Sequence, residues 1–266
     1  MSSRVNLETI ARATLSEVHV DRIMELKVSD EDPLIYLPRK ALKTFAKGQP
    51  IYDYQHPSGH LYVVILGRVK ITHTADDGCQ TITEILTVDT LFGESCLIGE
   101  RPRGEAAVPL TEVYLMAWIR EEVEQRIESE PRLGLALSQL MVRKCIRLKD
   151  RIENMAVYKT PERVMLALLQ LASGLGVATV DSAIRVPSLT HCMLAEYVGT
   201  SREIVTFQMN RLRKLGLLRY SRKHIDVYPQ SILDELHQRG VALPHALRGN
   251  STRPVVQTAV RPIAPS

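Results

Sequence analysis

Residues 189–228 read LTHCMLAEYVGTSREIVTFQMNRLRKLGLLRYSRKHIDVY. Their spacing predicts a helix, a tight turn, a second helix and a short β-wing. Thr190 suits an N-cap, where a side-chain oxygen accepts from the unpaired N–H groups of a first turn. Leu194 and Val198, at i and i+4, give that helix one apolar face. Ala195 is small where two helices must approach closely. Gly199 stands at the sharp turn, a place for a residue without a Cβ. Ser201 suits the cap of the second helix, whose buried side is expected to carry Ile204, Val205, Met209 and Leu212. Its outward face begins with Arg202, Glu203 and Thr206. In a helix-turn-helix of this plan, the first residues of the second helix reach base edges in the major groove of DNA.

Charge points the same way. From Gly199 to Ile225 there are seven basic residues (Arg202, Arg211, Arg213, Lys214, Arg219, Arg222, Lys223) and one acid, Glu203. That local excess is larger than the net +4 of the whole chain. A local basic face is the footprint of a phosphate backbone. A merely solvated helix and turn would carry charge too, but would not require the apolar spacing, Ala195 and Gly199.

Working outward, 266 residues have room for two domains of ordinary size. A hydrophobic content of 45% and a charged content of 24% are globular values. No apolar run approaches the roughly eighteen residues of a membrane span, so no membrane partner is expected. The N-terminal MSSRVNLETIARA lacks the apolar core of a signal peptide. Cys79, Cys96, Cys145 and Cys192 are far apart and form no C-x-x-C pair, which argues against a zinc site, an iron–sulfur cluster or a disulfide framework. A reduced cytoplasm is the expected location. His56 and His60 lie in a Pro-Ser-Gly turn and read as a solvated loop, so no metal site and no catalytic group is expected.

Residues 6–26 read as an amphipathic helix with Leu7, Ile10, Ala11, Leu15, Val18 and Ile23 on its apolar side, broken by Asp30 to Pro33. From Leu34 to about Trp118, short β-rich runs are punctuated by Gly48, Gly59, Gly67, Gly78, Gly93 and Gly104. Residues 62–66, YVVIL, read as a buried strand. Val69 and Ile71 then alternate with Arg68 and Lys70, the period of a half-buried strand. Asp77-Gly78 is a hairpin signal before the strand 81–86. Many short strands with glycine turns suggest a small barrel or jelly roll. Pro131 opens a long helix, on which Met141, Cys145, Leu148, Ile152 and Met155 follow at spacings of 4, 3, 4 and 3, an a/d seam. Arg147, Lys149, Asp150 and Arg151 leave that stripe narrow, which favours a two-helix seam of a symmetric homodimer over a helix lying on its own barrel. Thr160 and Pro161 suit an N-cap and first position of a helix to about Ser173. Residues 174–183, GLGVATVDSA, read as a loop, and Pro229 to Gln238 as a last helix. The tail from Gly240 has four prolines, three arginines and no acid, and is expected to be disordered. The expected fold is α+β: an N-terminal helix and double-stranded β-helix (jelly-roll) sensor domain over 1–130, a dimerisation helix over 131–158, a winged helix-turn-helix over 159–239 and a tail over 240–266.

A β-roll, a long dimer helix and a winged helix-turn-helix, in that order, resemble the Crp/Fnr family of bacterial transcription regulators. The resemblance covers roughly residues 40–230. It rests on residues 61–71 (LYVVILGRVKI) as the family's central strand pair, on Leu91-Phe92-Gly93-Glu94 as the start of its phosphate-binding cassette, and on Gly199-Thr200-Ser201-Arg202-Glu203 as its turn and recognition-helix start. It implies a sensor domain that takes a small-molecule, cyclic-nucleotide-like effector, a homodimer that binds a two-fold operator in double-stranded DNA, and RNA polymerase as a partner.

Residue by residue, the resemblance implies effector contacts at Gly93, Glu94, Ser95, Arg103, Gly104 and Leu148, but the match is incomplete. Where cyclic-AMP-binding members carry a serine after the cassette arginine, this chain has Gly104, and their adenine-reading Thr-Ser pair falls at Leu148 and Lys149. Leu148 has no hydrogen-bond capacity, so cyclic AMP is not the expected effector. The iron–sulfur branch needs cysteines near the N-terminus, whereas the first cysteine here is Cys79; no histidine pattern suggests haem. The expected DNA-contacting set is Thr190, Ser201, Arg202, Glu203, Thr206, Phe207, Arg211, Arg213, Lys214, Arg222 and Lys223. The family commonly has an arginine at position 207, aimed at a guanine. Phe207 instead touches a thymine methyl or packs inward, and the sequence leaves both open. Two other functions compete: a nucleotide-sensing interaction module without DNA binding, against which the basic face argues, and a cupin-like metalloenzyme, for which His56, His60 and His73 do not supply the ligand pattern.

Overall fold

The computed structural model describes residues 31–100, 103–221 and 223–243. The helix expected over 6–26, the tail from 244 and Arg222 lie outside the described residues.

The N-terminal half is a roll of two antiparallel sheets. Its strands are β1 (Lys43–Phe45), β2 (His60–Leu66), β3 (Val69–Thr74), β4 (Gln80–Leu86), β5 (Leu91–Phe92), β6 (Glu105–Pro109) and β7 (Val113–Ile119). One sheet has the order β1-β7-β2-β5 and the other β4-β3-β6. The alternation of β3 turns Val69 and Ile71 into the space between the sheets, where they meet Tyr62, Val64, Leu86, Phe92, Ala107 and Leu115. Strand β2 is buried on both faces, which explains its unbroken apolar run. Its Leu61 and Val63 point outward to Trp118, Val123, Leu133 and Leu137. The last three belong to α1 (Arg120–Ser129) and α2 (Arg132–Val157). Sequence reading did not anticipate α1. Its start is fixed by the Glu122 carboxylate, which accepts from the Ile119 N–H at 3.1 Å.

Helix α2 begins after Pro131, as expected. Asp150 and Asn154 are buried on its inner side, whereas Cys145, Leu148, Ile152 and Met155 are exposed and Met141 is half-buried. The charged residues are therefore not all solvent-facing. Asp150 and Arg151 turn inward, and the apolar row turns out.

The C-terminal half comprises α3 (Thr160–Leu175), β8 (Val177–Ala178), β9 (Ile184–Pro187), α4 (His191–Val198), α5 (Arg202–Lys214), β10 (Leu218–Tyr220), β11 (His224–Val227) and α6 (Pro229–Gln238). The cap of α3 is Lys159, one residue before the expected Thr160, and Pro161 is in its first turn. Residues 174–183 are not a plain loop. They contain β8, which pairs with β9, and β9 pairs in turn with β11, giving the sheet order β10-β11-β9-β8. Two residues of strand among glycines and an aspartate leave no readable period; pairing with β9 defines them. Met165, Leu168, Leu194, Val205, Met209, Leu218, Ile225 and Ile232 form one core under the two-helix motif. Truncating any of these leucines or methionines to alanine is expected to cost about 2–5 kcal/mol. Among the described residues, no helix is long and apolar enough to cross a membrane.

Candidate nucleic-acid interface and effector cleft

Local caps aim α4 and α5. Thr190 Oγ1 accepts from the Met193 N–H at 3.1 Å and Ser201 Oγ from the Ile204 N–H at 3.4 Å. Gly199 closes α4 at φ 74°, a left-handed conformation that a side chain would oppose. The buried side of α5 is Val205, Gln208, Met209 and Leu212. Ile204 does not belong to it, contrary to expectation, and is 42% exposed. A helix turns about 100° per residue, so the neighbour of Val205 leaves the buried row for its flank.

Arg202, Glu203, Phe207, Arg211, Arg213 and Lys214 are exposed on α5. Glu203 is held below the usual carboxylate range by the backbone N–H at the helix start and then by the Ser201 hydroxyl, so it is an ionised acceptor at neutral pH. Thr206 is only half open. Its hydroxyl donates to the Arg202 carbonyl at 2.8 Å and meets His191 Nδ1 at 2.9 Å. Phe207 resolves its own ambiguity: it is 65% exposed. The Arg213 guanidinium lies over the Tyr220 ring, 5.3 Å from its centre. In the wing, Lys223 is exposed and its carbonyl accepts from the Ser188 N–H at 3.1 Å. Arg219 is differently engaged. It pairs with Asp181 and lies over the Tyr228 ring. Asp181 is lowered to about 2, first by the Thr179 hydroxyl and further by Tyr228 and Arg219.

The second candidate site lies in the roll. Gly93 takes a left-handed conformation before the 3₁₀ turn Glu94–Ile98, and the Glu94 carboxylate leaves that turn toward α2. There Lys144 donates to Glu94 Oε1 at 2.7 Å and to Glu84 Oε2 at 3.4 Å. The Lys144 side chain is almost wholly buried. Beside it, the Tyr52 hydroxyl donates to Glu105 Oε1 at 2.9 Å. Glu105 is raised above the usual carboxylate range, first by burial and also by the charge on Glu94. Tyr52, Ser58, His60, Ser95 and Glu105 line a narrow cleft at this end of the roll. Arg103 is exposed. Gly104 sits at φ 75°, and a Cβ there would lie 2.4 Å from the Thr74 carbonyl oxygen, so a serine does not fit this backbone. Leu148 holds the helix position that the resemblance assigns to base reading. It is half exposed on the outer side of α2, and Lys144, one turn earlier, meets the Glu94 carboxylate. Lys144 and Glu105 were both missed. The alternation of β6 could have flagged Glu105; nothing local marks Lys144.

Among the described residues, no three His, Cys, Asp or Glu side chains are grouped to hold a metal ion. All four cysteines are free.

The cyclic nucleotide-binding domain model matches residues 42–130, and the Crp-like helix-turn-helix domain model matches residues 162–229. The CRP-like cAMP-activated global transcriptional regulator of Mycobacterium tuberculosis is 29% identical over 182 residues, covering 68% of this chain and 81% of that protein. The global nitrogen regulator of a Synechocystis species is 28% identical over 190 residues, covering 70% of this chain and 84% of that protein. Among solved structures, FixK2 from Bradyrhizobium japonicum superposes with a TM-score of 0.65 at 18% identity, over 74% of this chain and 97% of that one, a likeness of fold.

Proposed function

The chain belongs to the Crp/Fnr family of DNA-binding transcription regulators, and we propose that it works as a homodimer on an inverted-repeat operator, under control of an effector other than cyclic AMP. It is a regulator and not an enzyme; its relatives and both matched domains favour neither a cupin-like metalloenzyme nor a module without DNA binding.

The observation that carries the reading is the pairing of two outward faces. One is the exposed face of α5, with Arg202 and Glu203 at its start and Arg211, Arg213 and Lys214 at its end. The other is the apolar row Cys145, Leu148, Ile152 and Met155 on α2, which this chain leaves exposed. We assign a sensor domain up to residue 130, a dimerisation helix over 131–158 and a DNA-binding domain over 159–239. A two-fold axis along α2 sets two copies of α5 to enter successive major grooves about 34 Å apart. Arg202 and Glu203 read bases. Thr190, Ser201 and Thr206 stand at the same edge, and Arg211, Arg213, Lys214, Arg222 and Lys223 hold phosphates. RNA polymerase is the partner at the promoter, and the cytoplasm the place of action.

A cyclic-nucleotide-like small molecule fits the domain type. Cyclic AMP does not suit these residues. Arg103 is exposed and free to meet a phosphate, but Gly104 offers no hydroxyl beside it and Leu148 offers no hydrogen bond to a base. Selection of sites from a random DNA library tests the dimeric operator, and an asymmetric selected site would reject it. Calorimetry with cyclic AMP at micromolar protein is expected to give no heat; a dissociation constant in the micromolar range or tighter would reject the effector reading.

A further inference from the structure

Phe207 occupies the middle of the outward face of α5. It follows Glu203 by one turn, opposite the buried row Val205, Met209 and Leu212. The chain has three phenylalanines. Phe92 is buried and Phe45 half-buried in the roll, whereas Phe207 keeps 65% of its surface in solvent although the core of its own domain is filled without it. Ile204, three residues earlier, flanks it and is exposed as well. The two make a small apolar patch enclosed by Arg202, Glu203 and Arg211 on the face that the proposed function turns toward DNA.

The major groove offers few partners to such a patch. Guanine, cytosine and adenine edges present hydrogen-bonding atoms there, while thymine adds the C5 methyl group. A phenyl ring satisfies no donor or acceptor, and would desolvate one if pressed against it. We infer that Phe207 is a specificity-determining residue that reads a thymine by its 5-methyl group, once in each half-site, with Ile204 closing the flank of the contact. The inference rests on α5 being the recognition helix. It implies an operator that carries T·A at the position where an arginine would select G·C.

Deoxyuridine tests this, because it removes the methyl group and leaves the Watson–Crick edge intact. The operator selected by the wild-type protein is resynthesised with each thymine replaced in turn, and binding is measured by anisotropy. One symmetric position is expected to weaken binding about fourfold per half-site, the worth of one methyl-sized group buried. Phe207→Ala is expected to abolish that difference while keeping wild-type discrimination at the positions sensitive to Arg202→Ala; its far-ultraviolet dichroism and melting should match wild type, since the side chain is exposed. Phe207→Arg is expected to shift selection at that position toward guanine. Equal wild-type binding to every deoxyuridine operator would overturn the inference and leave DNA recognition by α5 standing. Persistence of the methyl effect in Phe207→Ala would overturn the assignment to this residue. Failure to select any operator, or unchanged selection by Arg202→Ala, would overturn the recognition-helix reading and this inference with it.

Discussion

Lys144 of the long helix donates to Glu94 of the cassette turn at 2.7 Å, while reaching Glu84 on β4 at 3.4 Å. A chain-borne ammonium thus joins the long helix to two elements of the roll, at the end where the cleft opens. It is the charge that neutralises the cassette carboxylate in this chain.

Lys144→Met should therefore destabilise the sensor domain. The lysine is buried, but both carboxylates keep roughly a third of their surface in water. Breaking a fully buried pair costs about 3–5 kcal/mol, and exposure of the partners reduces the expected loss here to about 1–3 kcal/mol. Urea unfolding measures it. Adding Glu94→Gln and Glu84→Gln to Lys144→Met should restore most of the loss, because no uncompensated charge is left. A triple variant no more stable than the single one would show that packing of the lysine stem, not its charge, is what counts.

Glu105 gives the sensor domain a pH dependence of definite sign. Burial, chiefly, holds its carboxyl above the ordinary 4.5, against the pull of the Tyr52 hydrogen bond. The folded protein thus keeps this proton more tightly than the unfolded chain. Its contribution to stability is complete below 4.5 and is lost as pH rises through the raised folded value. Glu105→Gln keeps an acceptor for Tyr52 and removes the titration. Its urea midpoint should fall less than that of wild type as pH rises from 4.5 toward neutrality. Parallel curves would contradict the assignment.

The parts of the fold legible in the sequence are those encoded within a few residues. Thr190, Gly199 and Ser201 announce two caps and a turn, and Leu194, Val198, Val205, Met209 and Leu212 announce the faces they join. The parts that escaped depend on distant partners. Lys144 is buried because Glu84 and Glu94 lie 60 and 50 residues away in sequence. Arg151 looks like a solvated charge until β4 and α4 are placed against the long helix. Strand β8 needs β9 to define it. Ile204 is apolar in type but not buried in position, because helical phase puts it on the flank of the buried row. The cleft of the roll is less legible than the exposed face of α5 for the same reason: its lining comes from separate segments at Tyr52, Ser58 to His60, Ser95 and Glu105, that of α5 from one.

The row on α2 predicts the oligomeric state. Leu148 and Ile152 are 50% and 68% exposed in the single chain, so aspartate at either position has no reason to unfold it. In a dimer joined along this helix, both positions become buried, and an unpaired carboxylate there costs several kcal/mol. The variant Leu148→Asp/Ile152→Asp is expected to sediment as a monomer with an unchanged helical dichroism spectrum. A variant that sediments like wild type as a dimer would place the seam elsewhere.

Arg151 predicts how the two halves of the chain are coupled. Its Nη1 donates to the Thr83 carbonyl at 2.7 Å, and its Nη2 to the Ile82 carbonyl at 2.7 Å and the Tyr197 carbonyl at 2.9 Å. The guanidinium also lies over the Tyr197 ring, 5.1 Å from its centre. One side chain on α2 thus binds β4 of the sensor and α4 of the DNA-binding domain together. Lysine cannot replace it, since a single ammonium lacks the planar fork that reaches three separated carbonyls. Arg151→Met leaves those acceptors unsatisfied at the interface, each costing about 1–3 kcal/mol unless water enters. The second link, Lys70 to Glu196 at 3.7 Å, is too long to substitute for it. Calorimetric melting of Arg151→Met, and of Arg151→Lys, should therefore resolve into two transitions, and hydrogen exchange should accelerate around residues 82–84 and 196–199. Lys70→Met should change neither. A single, unshifted transition for Arg151→Met would mean that the halves are held by apolar packing alone.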